Sequence, residues 1–235
     1  HEACLPRLAH GREMTVRAVL FDLDGTLVDS APDLAEAANR MRAAFGLPPL
    51  AVGRVADFVG KGIPMLVRRA LVDDLAGAAD EEKVPRALAL FEACYAEESG
   101  RRSIPYAGVH EGLARLRAAG LPLGVVTNKS GRFTEDLLRQ LDLRAPFDVV
   151  VSGDTLSARK PDPAPLLHAF DRLGVAPAEG LMVGDSANDV ASARAAGCPV
   201  WCVRYGYREG ASVESLRADR VVDDLRTAAA AILGN

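Results

Sequence analysis

Two aspartates, Asp22 and Asp24, directly follow an apolar run at residues 19–21. Side chains of a strand alternate between its two faces, so both carboxylates would lie on one side while Leu23 points into a core. Burying two carboxylates is costly without a cation or a proton, so this pair predicts a bound partner at the strand end. Paired carboxylates suit a hard divalent cation, and they suit acid–base chemistry in which one of them carries a proton. An isolated Asp-x-Asp-Gly is more often an ordinary turn, but the rest of the chain favours the chemical interpretation.

The strands that position this pair can be predicted from apolar runs rich in Val, Leu and Ile. Such runs are typical of buried strands in a parallel sheet. Helical spacing lies between the later runs, usually with a glycine at the end, as is typical where a helix stops. This alternation predicts an α/β fold with a three-layer, doubly wound parallel sheet. The predicted strands are residues 18–21, 121–126, 147–151, 180–183 and 199–203, and the predicted helices are residues 112–119, 132–141, 163–173 and 188–196.

The first two predicted strands are separated by about a hundred residues, which is too long for a loop in a compact domain. Residues 32–45, 64–75 and 81–98 of this stretch have amphipathic helical spacing, with no convincing strand among them. We therefore predict an inserted helical cap. The predicted division is an N-terminal extension at residues 1–13, a catalytic core at residues 14–29 and 101–235, and the cap at residues 30–100.

In a parallel sheet the ligand site lies beyond the carboxyl ends of the strands, so the residues that leave each predicted strand should meet. A hydroxyl, an amide, a lysine and further acids would join the first aspartates there. Together they would form a site for a divalent cation and a phosphoryl group. Each residue alone has an ordinary explanation, such as a helix cap, a turn or a surface charge, but the ordered set favours the site. These residues are Thr127, Asn128, Lys160, Asp185 and Asp189.

Lysine is scarce in this chain. Only Lys61, Lys83, Lys129 and Lys160 among the 28 basic residues are lysines. A compact ammonium is not interchangeable with a planar guanidinium, so a lysine in an arginine-rich chain is expected where the ammonium is needed. This supports Lys160 as a site residue.

Composition excludes several classes of function. The net charge is −4, and the basic residues form no stripe of the kind that binds nucleic acid. No apolar stretch reaches the roughly 18 residues needed to cross a membrane, so we expect a cytoplasmic protein with neither membrane nor nucleic-acid partners. The cysteines have no metal-binding or disulfide spacing. The sequence predicts a monomer or a homodimer without deciding between them.

The motif set resembles the haloacid dehalogenase superfamily of phosphohydrolases. The resemblance extends over nearly the whole chain from about residue 16, and residues 22–26, Thr127, Lys160 and residues 184–189 carry it. It implies a Mg²⁺-dependent phosphatase in which Asp22 is the nucleophile that forms an aspartyl phosphate. Asp24 would protonate the leaving alkoxide and later deprotonate the attacking water.

The same resemblance implies that Asp22, the main-chain carbonyl of Asp24, and Asp185 hold Mg²⁺, with support from Asp189. Thr127 and Lys160 would stabilise the transferring oxygens. The presence of Asp24 argues against the dehalogenases and the phosphonate-cleaving branch, which lack an aspartate at this position.

Within the superfamily, residues 29–34, 127–129, 160–167 and 205–207 are similar to those of bacterial enzymes that hydrolyse 2-phosphoglycolate to glycolate and phosphate. Hydrolysis of that small ester is therefore the expected reaction. Phosphatases for sugar phosphates, such as N-acetylmuramic acid 6-phosphate, share most of these stretches. A β-phosphoglucomutase-like mutase would use the same aspartates, whereas a non-catalytic phosphate sensor is poorly supported because every catalytic position is filled.

Specificity is expected from the cap turn at residues 59–64, where Gly60 and Lys61 would contact a small anionic substrate, together with Thr127, Asn128 and Lys160 of the core. A helix-to-helix turn that needs two glycines explains the same turn equally well. Arg68 and Arg69 are expected as a surface pair on a cap helix, although either could meet a substrate carboxylate. Arg208 departs from the related enzymes, which commonly have asparagine there.

Overall fold

The computed structural model describes residues 15–234, and its centre is a parallel sheet. In chain order the strands are β1 (Ala18–Phe21), β2 (Val28–Asp29), β3 (Ile104–Pro105), β4 (Leu123–Val126), β5 (Val149–Val151), β6 (Gly180–Gly184), β7 (Val200–Val203) and β8 (Arg220–Val222). Six of them form one sheet in the order β5-β4-β1-β6-β7-β8, with every neighbouring pair parallel. The predicted parallel α/β sheet is confirmed, and β8 extends it by one strand beyond the five predicted.

Helices cover both faces of this sheet. In chain order the helices are α1 (Ala31–Ala43), α2 (Val52–Ala56), α3 (Ile63–Val72), α4 (Val84–Glu98), α5 (Val109–Ala118), α6 (Gly131–Gln140), α7 (Ala164–Leu173), α8 (Ala187–Ala196) and α9 (Leu225–Ile232). The alternation of side chains along β1 shows the two layers. Val19 and Phe21 pack with α5, α6 and α9, whereas Ala18 and Leu20 pack with α7 and α8.

The four helices α1 to α4 bury a separate apolar cluster. Phe58, Phe91 and Tyr95 are fully buried within it. Tyr95 also meets Phe133 of α6 edge-on, with ring centroids 4.8 Å apart, so this cluster continues onto the helical layer of the sheet. The cap boundaries at residues 30 and 100 stay a prediction.

Two short strands that the sequence patterns did not predict, β2 and β3, lie outside the three helical segments and form an antiparallel pair. Each strand has only two residues, which is too short to show a period, and the two lie far apart in sequence. Nearby, the buried Asp33 carboxylate accepts hydrogen bonds from the main-chain N–H groups of Gly100, Arg102 and Ser103 and from the Ser103 hydroxyl. These contacts join the first turn of α1 to the segment that follows α4.

Arg69 corrects the expectation of a surface arginine pair. Its side chain is only 2% exposed, and Nη1 lies 2.9 Å from Glu209 Oε1, so it is not a surface residue. Arg68 does lie nearer the surface and pairs with Glu81. Within residues 15–234, no helix has both the length and the apolar character needed to cross a bilayer. Residues 1–13, predicted as an N-terminal extension, lie outside the described part of the chain.

Candidate active site

The site lies where β1, β4 and β6 end side by side. The Asp22 N–H donates to the Val183 carbonyl of β6 at 3.0 Å, and the Thr127 N–H donates to the Val151 carbonyl of β5 at 2.9 Å. The strands that carry these residues are neighbours in the sheet, so side chains from distant parts of the sequence meet at one edge. This is the arrangement predicted from the strand exits.

Three carboxylates come together at this edge. One oxygen from each of Asp22, Asp185 and Asp189 lies within 4.8 Å of the others, and all three residues are buried. Lys160 Nζ lies 3.0 Å from Asp22 Oδ1 and 2.6 Å from Asp189 Oδ1, and its side chain is 2% exposed. Three carboxylates against one ammonium leave two buried negative charges without compensation in this cluster.

The pKa values of the cluster reflect burial first and the neighbouring charges second. Burial raises the pKa of Asp22 above its ordinary value; Lys160 opposes the rise and Asp189 adds to it. Burial raises the pKa of Asp185 as well, with further contributions from Asp22 and Asp189. Burial lowers the pKa of Lys160, but its ion pairs with Asp189 and Asp22 outweigh this and raise it above the usual lysine range. A hard divalent cation would supply the missing positive charge, and its preferred oxygen ligands are present, so the residues fit a metal site.

Asp185 is held in place from two sides. Thr26 Oγ1 donates to Asp185 Oδ1 at 2.7 Å, and the Tyr207 main-chain N–H donates to Oδ2 at 2.6 Å. Gly25 has a φ of +88°, and a Cβ at that position would overlap the Asp185 carboxylate. Glycine is therefore required after Asp24 both by the backbone conformation and by the close approach of Asp185.

Asp189 uses both of its oxygens for contacts with the protein. Oδ2 accepts from the Ser186 hydroxyl at 2.7 Å and from the main-chain N–H groups of Ser186 and Asp185 at 3.0 and 3.2 Å, as part of a capping box at the start of α8. Oδ1 pairs with Lys160. These contacts suit a supporting role in the predicted metal site better than direct ligation.

The Asp24 carboxylate lies apart from the three-carboxylate cluster. It accepts a hydrogen bond from the Ser30 hydroxyl at 2.6 Å, and Lys129 Nζ lies 3.1 and 3.2 Å from its two oxygens. Asp24 and Asp22 nevertheless line the same cavity. The geometry therefore suits an acid–base role for the Asp24 side chain, and it leaves only the main-chain carbonyl of Asp24 for the predicted metal contact.

Lys129 is a site residue that sequence reasoning did not select. Its side chain is 2% exposed, and its Nζ lies 4.8 Å from the centroid of the Tyr95 ring as well as beside Asp24. Burial lowers the pKa of Lys129, but Asp24 outweighs this and raises it above the usual range. The scarcity of lysine and its place two residues after Thr127 were the signals that could have identified it.

The cavity between the sheet edge and α3 has polar groups on one side and apolar groups on the other. Thr127, Asn128 and Gly60 line it together with Asp22 and Asp24. Its apolar wall comes from Leu34, Val59, Ile63 and Leu66. An apolar wall that keeps water out would strengthen electrostatic interactions inside the cavity.

The structure does not bring Lys61 into this cavity. Lys61 Nζ instead lies 3.4 Å from Glu209 Oε1, and its side chain is 44% exposed. Asn128 lines the cavity, but its amide group contacts main-chain atoms. Nδ2 donates to the carbonyls of Gly60 and Lys160 at 2.9 and 2.8 Å, and Oδ1 accepts from the Lys160 N–H at 3.0 Å.

Comparisons with known proteins agree with this geometry. The chain is 48% identical over 212 residues to a protein of Nitrosospira multiformis called phosphoglycolate phosphatase, covering 90% of this chain and 93% of the relative. It is 50% identical over 210 residues to a protein of the same name from Chromobacterium violaceum, covering 89% and 93% of the two chains. A crystal structure from Haemophilus somnus, described as a predicted phosphoglycolate phosphatase, matches with a TM-score of 0.85 and 32% identity over 91% of this chain and 96% of that one. Residues 19–203 match the model of the haloacid dehalogenase-like hydrolases, and the chain belongs to that family.

Proposed function

We propose that this protein hydrolyses 2-phosphoglycolate to glycolate and phosphate, with Mg²⁺ as its cofactor and through an aspartyl phosphate. The observation that supports this substrate is the sequence identity of 48% and 50%, over about nine-tenths of the chain, to relatives called phosphoglycolate phosphatase. The chemistry is supported by the site itself, where the Asp22 carboxylate lines a cavity beside a buried lysine and two further acids.

Asp22 is the proposed nucleophile. Its Oδ1 is occupied by Lys160 Nζ and by the Leu23 main-chain N–H at 2.7 Å, whereas no group in the described chain donates a hydrogen bond to Oδ2. Oδ2 is therefore the oxygen available to attack phosphorus, while Lys160 reduces the repulsion between the carboxylate and a phosphate dianion.

Asp24 is the proposed general acid and base. Its carboxylate lines the cavity next to Asp22, where it would protonate the alkoxide that leaves the phosphate ester. In the second step it would take a proton from the water that attacks the aspartyl phosphate. Ser30 and Lys129 fix the orientation of this carboxylate.

The remaining proposed roles concern the transferring oxygens. The Thr127 hydroxyl and the Lys160 ammonium would stabilise them, and Asp22, Asp185 and the Asp24 carbonyl would hold Mg²⁺. When bound, Mg²⁺ supplies electrostatic stabilisation of the charge on the phosphoryl oxygens. Removing one such donor is expected to lower the rate by about 10² to 10³-fold.

Replacing Asp185 tests the metal site through stability. With Mg²⁺ at about 100 times its dissociation constant, the native protein should gain about 2.7 kcal/mol of unfolding free energy. Asp185→Asn should lose this gain yet be at least as stable without Mg²⁺, because it replaces a buried carboxyl group whose ionisation burial disfavours. Thermal unfolding with and without Mg²⁺ measures both effects.

The control for that experiment is Asp171→Asn on the exposed face of α7, which should keep the full response to Mg²⁺. An equal response in Asp185→Asn would contradict the assignment of Asp185 as a ligand. The new amide fits the site, because the Thr26 hydroxyl can turn to accept from it while the amide oxygen keeps the Tyr207 N–H.

The substrate is tested by phosphate release from 2-phosphoglycolate, several sugar phosphates and pyrophosphate, each with Mg²⁺ and with a chelator. The proposal expects the highest kcat/KM for 2-phosphoglycolate and loss of activity with the chelator. If sugar phosphates were hydrolysed equally well, the proposed substrate would be wrong. Phosphate release without any added sugar bisphosphate separates a phosphatase from a mutase.

A further inference from the structure

One main-chain carbonyl between α2 and α3 accepts hydrogen bonds from two asparagine side chains at the edge of the sheet that carries the site. The Gly60 carbonyl accepts from Asn128 Nδ2 at 2.9 Å and from Asn188 Nδ2 at 3.2 Å. Asn128 follows β4, and Asn188 lies in the first turn of α8. The carbonyl thus joins the α2–α3 loop to two separate strand exits.

The local backbone is built for this contact. Gly60 has a φ of +117°, a conformation that side-chain-bearing residues rarely adopt. A Cβ there would lie 3.6 Å from Asn188 Nδ2, which leaves room for the amide but shows how closely the loop approaches. The ion pairs of Lys61 and Arg69 with Glu209 also join this region to the loop after β7.

Asn128 connects this contact to the catalytic lysine. Its amide makes two hydrogen bonds with the main chain of Lys160, one to the carbonyl and one from the N–H. The second hydrogen of the same Nδ2 goes to Gly60. Movement of Gly60 away from the sheet would therefore free a donor on the residue that fixes the backbone of Lys160.

We propose that Asn128 and Asn188 are positioning residues that dock the Gly60 carbonyl, and that Asn128 thereby couples closure of α1–α4 over the site to the placement of Lys160. This differs from the predicted role of Gly60 and Asn128 as substrate contacts. The inference uses the proposed function only for the role of Lys160, since the docking itself needs no substrate.

The test combines hydrogen exchange with steady-state kinetics on Asn188→Ala and Asn128→Ala. Exchange of the main-chain amides at residues 58–62 is measured on the full chain with Mg²⁺ and inorganic phosphate. Loss of one hydrogen bond should speed this exchange about three- to tenfold in Asn188→Ala. In the same variant KM should rise by a similar factor with kcat within about twofold, because the Lys160 contacts are intact.

Asn128→Ala should show the faster exchange and also a fall in kcat of about tenfold or more, because it loses two further hydrogen bonds to Lys160. Asn39→Ala is the matched control. Asn39 makes the same two-bond contact with the main chain of Leu50, at 2.9 and 2.7 Å, remote from the sheet. Asn39→Ala should lower the unfolding temperature without a selective effect on amide exchange at residues 58–62 or on KM.

Unchanged exchange at residues 58–62 in both variants, or the same pattern in Asn39→Ala, would overturn the proposal. A fall in kcat for Asn188→Ala equal to that for Asn128→Ala would overturn the coupling through Lys160. Because exchange is measured without turnover, the exchange results do not depend on the substrate, whereas kcat and KM are measured with an ester that the native protein hydrolyses. If the native protein did not hydrolyse 2-phosphoglycolate, only the proposed function would fail.

Discussion

Asp22→Asn is expected to lower phosphate release by at least about 10⁴-fold, because the amide cannot attack phosphorus. The asparagine oxygen can keep the contacts of Oδ1 with Lys160 and Leu23, and the amide nitrogen takes the place of the oxygen that accepts no hydrogen bond. The fold should therefore survive. Rapid-quench experiments should detect a covalent phosphoenzyme in the native protein and none in the variant.

Two further variants make this result specific. Asp22→Ala should be equally inactive, which separates loss of the nucleophile from a misplaced amide. Asp171→Asn, on α7, should keep native activity. Mg²⁺-dependent phosphatase activity that persisted in both Asp22 variants would refute the assignment of Asp22 as the nucleophile.

Asp24→Asn is expected to lower kcat for an alkyl phosphate by about 10² to 10⁴-fold, because the leaving alkoxide loses its proton donor. An aryl phosphate with a good leaving group needs less protonation, so formation of the phosphoenzyme should suffer less with it. Hydrolysis of the phosphoenzyme still needs the base. The variant should therefore accumulate the aspartyl phosphate when it is given the aryl ester, which rapid quench would measure.

Ser30→Ala is the matched control for Asp24→Asn. It removes the 2.6 Å hydrogen bond to the carboxylate but leaves the proton donor and Lys129 in place. Its effect should be about tenfold or less. If alkyl and aryl esters lost equal activity in Asp24→Asn, with no accumulated intermediate, the general acid and base would have to be sought elsewhere.

Much of the fold could be predicted from the sequence, because its buried strands and its helices have simple apolar patterns. The run at β1 is fully buried on both sides, and such strands read as continuous hydrophobic segments. The pair β2–β3 and the strand β8 were not accessible. Two or three residues carry no period, and their pairing is decided by the packing around them rather than by their own side chains.

The site, too, has features that the sequence predicts and features that it does not. The strand exits predicted Asp22, Thr127 and Asp185 because parallel strands must end together. The partners of polar atoms depend on details of the backbone that spacing does not carry. Spacing therefore indicated neither the pairing of Lys129 with Asp24 nor that of Lys61 with Glu209.

The contacts of the two Asp189 carboxylate oxygens have a consequence for the order in which the site can form. One caps the first turn of α8, and the other neutralises Lys160. Until this helix has formed, that ammonium lacks the closer of its two carboxylate partners and has only Asp22 beside it. The full charge balance around the buried lysine therefore depends on α8, which follows β6 late in the chain, and an active site assembled without this helix would lack one of its anions.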